Sequence, residues 1–71
     1  MFSMILTAVL VPAEVGGFVA FNPETGTTSQ GESVAEAMLN LTEATELYLE
    51  EFPLVQTGRS FLTTFEVMAH A

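Results

Sequence analysis

The segment from Ser33 to Pro53 constrains the fold of this 71-residue chain most, because it predicts one long amphipathic helix. Ser33 and Glu36 have the spacing of a capping box, in which Ser33 accepts from the Glu36 amide and Glu36 reaches back to the Ser33 amide. Pro53 disfavours a helical residue before it, so the helix is predicted to end near Phe52. At 100° per residue, one side of this helix is apolar and is expected to cover a sheet. That side comprises Val34, Ala37, Met38, Leu41, Ala44, Thr45, Tyr48 and Phe52.

Four other segments have the composition of β-strands. The first runs from Phe2 to Val11, is apolar on both of its faces, and is predicted to end at Pro12. Turns over residues 12–17 and 22–26 separate it from predicted strands at Phe18–Phe21 and Thr27–Gln30. The fourth segment, Ser60–Met68, has the alternation of a further strand.

These elements predict an α+β fold of order β-β-β-α-β in a single domain spanning residues 1–71. One helix is expected to pack on a four-stranded, mostly antiparallel sheet. The helix is long enough to cross the sheet, so we expect the first and last strands to pair in parallel. A chain of this size buries only about 60% of the surface that its unfolded form exposes. With 49% hydrophobic residues, the chain is therefore expected to have an interface with another protein.

The net charge of the chain limits the kind of molecule that it is expected to bind. The net charge is −8, all nine acidic residues are Glu, and Arg59 is the only Lys or Arg. Nucleic-acid binding usually begins with a basic patch, so this composition argues against direct DNA or RNA binding and favours a basic protein. There are no cysteines, and the apolar start carries no Lys or Arg and is too short to span a bilayer, so we predict a cytoplasmic protein without membrane attachment.

No catalytic, cofactor-binding or metal-binding residue is predicted. The chain has no Asp, and Glu43, Glu46 and Glu50 have the spacing of neighbours on a solvated helix surface. Ser33 is explained as a cap and has no histidine placed to activate it. His70 is expected in a frayed terminus. The chain is therefore predicted not to be an enzyme.

The stretch from Phe21 to Glu51 contains an aromatic residue before a Gly-containing turn, a Gln-Gly pair, an acid followed by Ser, two Glu-Ala pairs and an aliphatic-Tyr-Leu ending. These features are Phe21, Gly26, Gln30-Gly31, Glu32-Ser33, Glu36-Ala37, Glu43-Ala44 and Leu47-Tyr48-Leu49. In this order they resemble the HicB antitoxin family. The family's Pro-Gly-Cys-like turn is replaced by Thr25-Gly26-Thr27, and the DNA-binding segment of many members does not follow the last predicted strand.

The resemblance implies a truncated RNase H-like fold and an antitoxin core that binds and neutralises a small basic toxin of the RNA-cleaving HicA type. The alternative is an orphan structural or regulatory module that only self-associates. In either case a homo-oligomer, a dimer or a tetramer, is expected. The predicted partner-binding residues are apolar groups on the second face of the first strand and one on the helix, with three helix acids: Ile5, Val9, Val11, Leu39, Glu43, Glu46 and Glu50.

Overall fold

The computed structural model describes residues 3–55 and 58–70, and within them three strands precede one helix. The strands are β1 (Val9–Pro12), β2 (Phe18–Phe21) and β3 (Thr28–Gly31), and the helix is α1 (Val34–Glu51). The sheet has the order β1-β2-β3, and both pairings are antiparallel. The predicted bounds of the second strand and of the helix are confirmed, and the third strand lies one residue later than predicted.

The first strand is much shorter than predicted. Val9 pairs with Phe21, the last residue of β2, so residues 3–8 run beyond the end of β2 and face a turn instead of a strand. The strand also includes Pro12, which pairs with Phe18 and was expected to end it. The predicted start at Phe2 lies outside the described residues.

The predicted β1–β2 turn is confirmed from Ala13 to Gly17. The Ala13 amide donates to the Gly17 carbonyl at 3.0 Å, and the Gly16 amide donates to the Ala13 carbonyl at 3.1 Å. Gly17 has φ +77°, and a Cβ there would meet the Gly31 carbonyl oxygen at 2.5 Å. Glycine is therefore required at this turn, both for the positive φ and for the close approach to β3.

Helix α1 begins with the predicted Ser33 cap, whose Oγ accepts from the Glu36 amide at 3.1 Å. The second half of the capping box differs from the prediction. The Glu36 carboxylate accepts from the amide of Glu32 at 2.8 Å, one residue before the expected donor. Both bonds satisfy amides at the helix start that have no partner within the helix.

The core lies between α1 and the sheet and is small. Its buried apolar residues are Ala20, Ala37 and Leu41, with Ala8, Leu10 and Phe18 packed around them. The helix packs mainly on β3 and also on β2, and this leaves the helix-facing side of β1 sparsely covered.

The middle of the predicted apolar helix side is confirmed, but its two ends are not. Ala37, Leu41 and Thr45 are buried, whereas Val34 and Phe52 are exposed. An 18-residue helix is about 27 Å long, whereas three strands of four residues form a sheet only about 10 Å wide and about 13 Å long. The ends of the helix therefore extend past the surface that could bury them.

The predicted fourth strand is wrong. Residues 58–70 contain no strand and every one of them is exposed, so the described sheet has three strands and the fold is β-β-β-α. The expected parallel pairing between first and last strands is therefore also wrong. Alternation in Ser60–Met68 gave the right pattern for a strand, but a strand needs a neighbouring backbone, and β1 offers an edge of only four residues. We call residues 60–70 the arm.

Candidate protein-binding surfaces

Four of the predicted partner-binding residues lie together on the outer side of α1. Leu39, Glu43, Glu46 and Glu50 are all exposed, and at 100° per residue they fall within about 60° of one another. By the same arithmetic, the core residue Leu41 lies roughly opposite Leu39. We call these four residues the acidic ridge.

The acidic ridge is a strip of negative charge with one apolar side chain. Glu43 and Glu46 are three residues apart, and Glu46 and Glu50 are four apart, so their carboxylates are helical neighbours. The last turn of α1 contains no basic residue. Leu39 is 60% exposed at one end of this strip, where a solvent-facing helix position would ordinarily be polar.

Val9 and Val11 belong to a different surface. Their partners in the register are Phe21 and Val19, and all four point away from the helix, because the alternate residues Leu10 and Ala20 contact it. Val11 and Phe21 are exposed on this open sheet face. The contributions of Val19 and Phe21 were missed, although side chains on a strand point alternately to its two faces, and this period applied to the predicted strand Phe18–Phe21 could have identified them.

Ile5 belongs to a third feature, an open groove between residues 3–8 and residues 38–49 of α1, and Glu46 of the acidic ridge also lines it. The groove has a volume of about 510 Å³. It exists because α1 covers β2 and β3 more fully than β1. We call it the N-terminal groove; its apolar lining includes Met4, Ile5, Leu6, Met38, Leu41 and Leu49.

A polar cluster that sequence reasoning missed lies beside this groove. The Glu24 carboxylate accepts from the Thr7 amide and the Thr7 hydroxyl at 2.8 Å each, from Asn22 Nδ2 at 2.7 Å and from the Ser60 amide at 3.3 Å. Asn22 Nδ2 also donates to the Thr7 carbonyl at 2.7 Å. The Asn-Pro-Glu-Thr-Gly turn predicts local bonds of this type, but nothing local indicates the partners Thr7 and Ser60.

The environment of Glu24 shifts its acidity. Partial desolvation acts to raise the pKa of Glu24, but the bonds from the Thr7 amide and hydroxyl, Ser60 and Asn22 outweigh it and lower that pKa from 4.5 to about 2. Glu24 is therefore held as a carboxylate with its acceptor positions occupied, which suits a structural anchor better than a catalytic base.

The other candidate groups for chemistry are separated from one another. Ser33 is used as the helix cap, and His70 is exposed in the arm. Within residues 3–55 and 58–70, no three His, Cys, Asp or Glu side chains converge in a way that could hold a metal ion. Over the same part of the chain, no helix combines the length and the apolar character needed to cross a bilayer.

Comparison with known proteins gives no relative for this chain: no family model, no curated protein and no solved structure matches it. The resemblance to HicB antitoxins therefore stays a prediction that depends on the motifs between Phe21 and Glu51.

Proposed function

We propose that this chain is a non-enzymatic protein-binding module whose acidic ridge receives the basic surface of a partner. The observation that carries the proposal is the grouping of Leu39, Glu43, Glu46 and Glu50 on the one side of α1 that faces away from the core. The HicB-like motifs make a small RNA-cleaving toxin of the HicA type the first candidate. Such a toxin acts on RNA in the cytoplasm, so we propose that compartment for this chain too.

Charge supports a basic partner over an acidic or neutral one. The ridge carboxylates lie at helical neighbour spacing, where like charges repel each other, and Arg59 is the only Lys or Arg in the chain. Lys or Arg side chains of a partner would relieve that repulsion and would also speed the encounter. Leu39 would supply the apolar contact that a purely ionic interface lacks.

The proposed interface does not include the whole predicted set. Val9 and Val11 lie on the open sheet face, on the side of the sheet away from the helix, and Ile5 lines the N-terminal groove. One flat partner surface cannot contact both sides of the sheet, so Val9 and Val11 are outside the proposed interface. Ile5 lines the same groove as Glu46 and lies at the border of that interface.

The proposal is tested by co-expression with a small basic RNA-cleaving toxin of the HicA type, followed by measurement of growth and of affinity in the purified pair. Substituting Glu43→Gln, Glu46→Gln and Glu50→Gln together should weaken binding about tenfold at low salt, chiefly through a slower association rate. Leu39→Ser should weaken it mainly through faster dissociation.

The matched control is Glu14→Gln, Glu32→Gln and Glu66→Gln, which changes the net charge equally at exposed positions away from the ridge. If both triple variants lose affinity equally, overall charge rather than the ridge governs binding. A chain that neither binds the basic protein nor rescues growth would overturn the proposal.

The runner-up function is a self-associating module without a toxin partner. It is favoured by the exposed apolar side chains of the arm, which a basic toxin would not need. A concentration-dependent oligomer together with no affinity for the basic protein would support it over the antitoxin role.

A further inference from the structure

We propose that the arm of one copy of this chain occupies the N-terminal groove of a second copy, and that reciprocal exchange of two arms forms a dimer. The inference does not depend on a toxin partner. It concerns the arm, which lies outside the acidic ridge, and the groove, which shares only Glu46 with the ridge.

The arm is an exposed apolar peptide. Its large hydrophobic side chains are all solvent-facing, with Phe61 88% and Phe65 86% exposed. A contiguous apolar stretch of this kind is typical of an interaction site and unusual for a free surface. The other exposed large hydrophobic residues of the arm are Leu62, Val67 and Met68.

The N-terminal groove provides the complementary surface. It is open, and its apolar lining lies beside the small core, next to Leu41. Pockets of some 300–1,000 Å³ suit large ligand groups, and the groove volume of about 510 Å³ falls in that range. Filling the groove with aromatic side chains would extend the core of each copy.

The root of the arm is fixed at the edge of the groove. The Ser60 amide donates to Glu24, which also holds Thr7, and Thr7 lines the groove. Beyond Ser60 the arm extends away from the rest of the chain. The radius of gyration is accordingly 14.3 Å, against about 11 Å for a compact 71-residue domain. Each copy therefore has an open groove and, close to it, an arm that does not pack on its own chain. Reciprocal exchange requires this arrangement.

Charge permits a second copy as the occupant. Arg59 at the base of the arm balances Glu66 within it, so the whole net charge of −8 resides in residues 1–58. The arm with its base therefore adds no net negative charge to the groove, and the apolar contact of the two arms has to outweigh the repulsion between the two acidic bodies. A basic protein, in contrast, would be attracted to residues 1–58 and not to the arm.

The area is sufficient for a stable dimer. The two Phe side chains of one arm would bury about 300–500 Å². Exchange doubles this area and adds the groove surface and the remaining arm residues, which brings the total near the roughly 1,200–2,000 Å² of standard interfaces.

Sedimentation of the full chain over a hundredfold range of concentration tests the dimer. We expect a monomer–dimer equilibrium, and Phe61→Ser with Phe65→Ser should raise the dissociation constant about a hundredfold or more. Val15→Ser is the control, because Val15 is 99% exposed in the β1–β2 turn and lies outside both arm and groove. A monomer at every concentration, or a dimer that the Phe substitutions leave unchanged, would overturn the inference.

Cysteine pairing tests where the arm goes, since the natural chain has no Cys. Mixing a Leu49→Cys chain with a size-tagged Phe65→Cys chain should give a disulfide-linked heterodimer, and replacing Leu49→Cys by Val15→Cys should give far less. Linking equal to the Val15 control would count against the groove as the site. A Leu49→Cys, Phe65→Cys double variant that closes within one chain at all concentrations would show that the arm occupies its own groove, which also defeats the proposal.

Discussion

Asn22 is a polar side chain at the start of the turn after β2, and it is only 2% exposed. Its Oδ1 accepts from the Thr25 amide at 2.9 Å and also from the Thr25 hydroxyl, and its Nδ2 donates to Thr7 and Glu24. Thr27 then links the turn to the helix through a hydroxyl contact of 2.8 Å with Thr45. Burying a polar group costs free energy unless its hydrogen bonds are made. The hydrogen bonds of the Asn22 side chain are made with residues from several parts of the chain.

The Glu24 carboxylate predicts an acid-dependent loss of stability. Its pKa is lower in the folded chain, about 2 against 4.5, so its contribution is complete above pH 4.5 and is lost as the pH falls towards 2. Glu24→Gln should therefore be less stable than the natural chain at neutral pH, and the difference should narrow to near zero by about pH 2. Urea unfolding at a series of pH values measures this difference.

Glu43→Gln is the matched control for Glu24→Gln, because it removes one carboxylate from an exposed helix position. We expect it not to reproduce the loss of stability at neutral pH. If Glu24→Gln keeps the full stability of the natural chain at every pH, the hydrogen bonds to Glu24 contribute nothing to folding.

At the scale of elements, the packing of β3 on α1 depends on the absence of a side chain at Gly31. A Cβ at that position would lie 2.8 Å from the carbonyl carbon of Glu36 and 2.9 Å from Ala37 Cα. Those atoms belong to helix backbone, which cannot move aside as a flexible side chain could. The helix therefore approaches β3 closely at its first turn, where Ala37 is also fully buried.

Gly31→Ala is expected to destabilise the chain by about 1–3 kcal/mol, because it overpacks the strand–helix contact. Gly58→Ala is the control: a Cβ there meets nothing within 4 Å, and its effect should stay within about 0.5 kcal/mol. Urea denaturation of both variants provides the comparison. Equal stabilities for the two variants would mean that the helix can shift away from β3 at little cost.

At the scale of the whole molecule, a small core has to hold together a strongly charged chain. The described residues bury only three apolar side chains fully enough to form a core, while residues 1–58 carry the net charge of −8. A core of this size gives a fold of low stability. Repulsion among the carboxylates is therefore a significant part of its free energy of unfolding.

Salt should therefore stabilise the fold. Raising sodium chloride from about 0.01 M to 0.15 M shortens the screening length from roughly 30 Å to 8 Å. Neighbours 5–6 Å apart are only partly screened at 8 Å, so the two ridge pairs that share Glu46 should then yield a gain of about 0.2–0.4 kcal/mol in unfolding free energy. Glu46→Gln removes both pairs and should show a smaller salt response than Glu14→Gln. A response that is equal in the two variants would place the repulsion elsewhere in the chain.

The sequence by itself determined the elements whose signals are local. Ser33 and Pro53 bounded the helix, Gly16 and Gly17 marked a turn, and the apolar run Phe18–Phe21 after that turn marked a strand. The ridge acids followed from the same periodicity, because residues at spacings of three and four share one side of a helix. Each of these features depends on interactions within a few residues of the chain.

Only the tertiary structure decided which segments meet. Residues 3–8 and the arm have the composition of strands, but neither is a strand. The register of β1 on β2 leaves residues 3–8 beyond the end of β2, and the arm does not pair with any described strand. The cluster of Thr7, Asn22, Glu24 and Ser60, and the division of the predicted partner-binding residues between opposite sides of the sheet, depend equally on contacts across the chain. Alternation in the sequence specifies which side chains a strand would present on each face. Whether a neighbouring strand is there to pair with it is decided only by the folded arrangement.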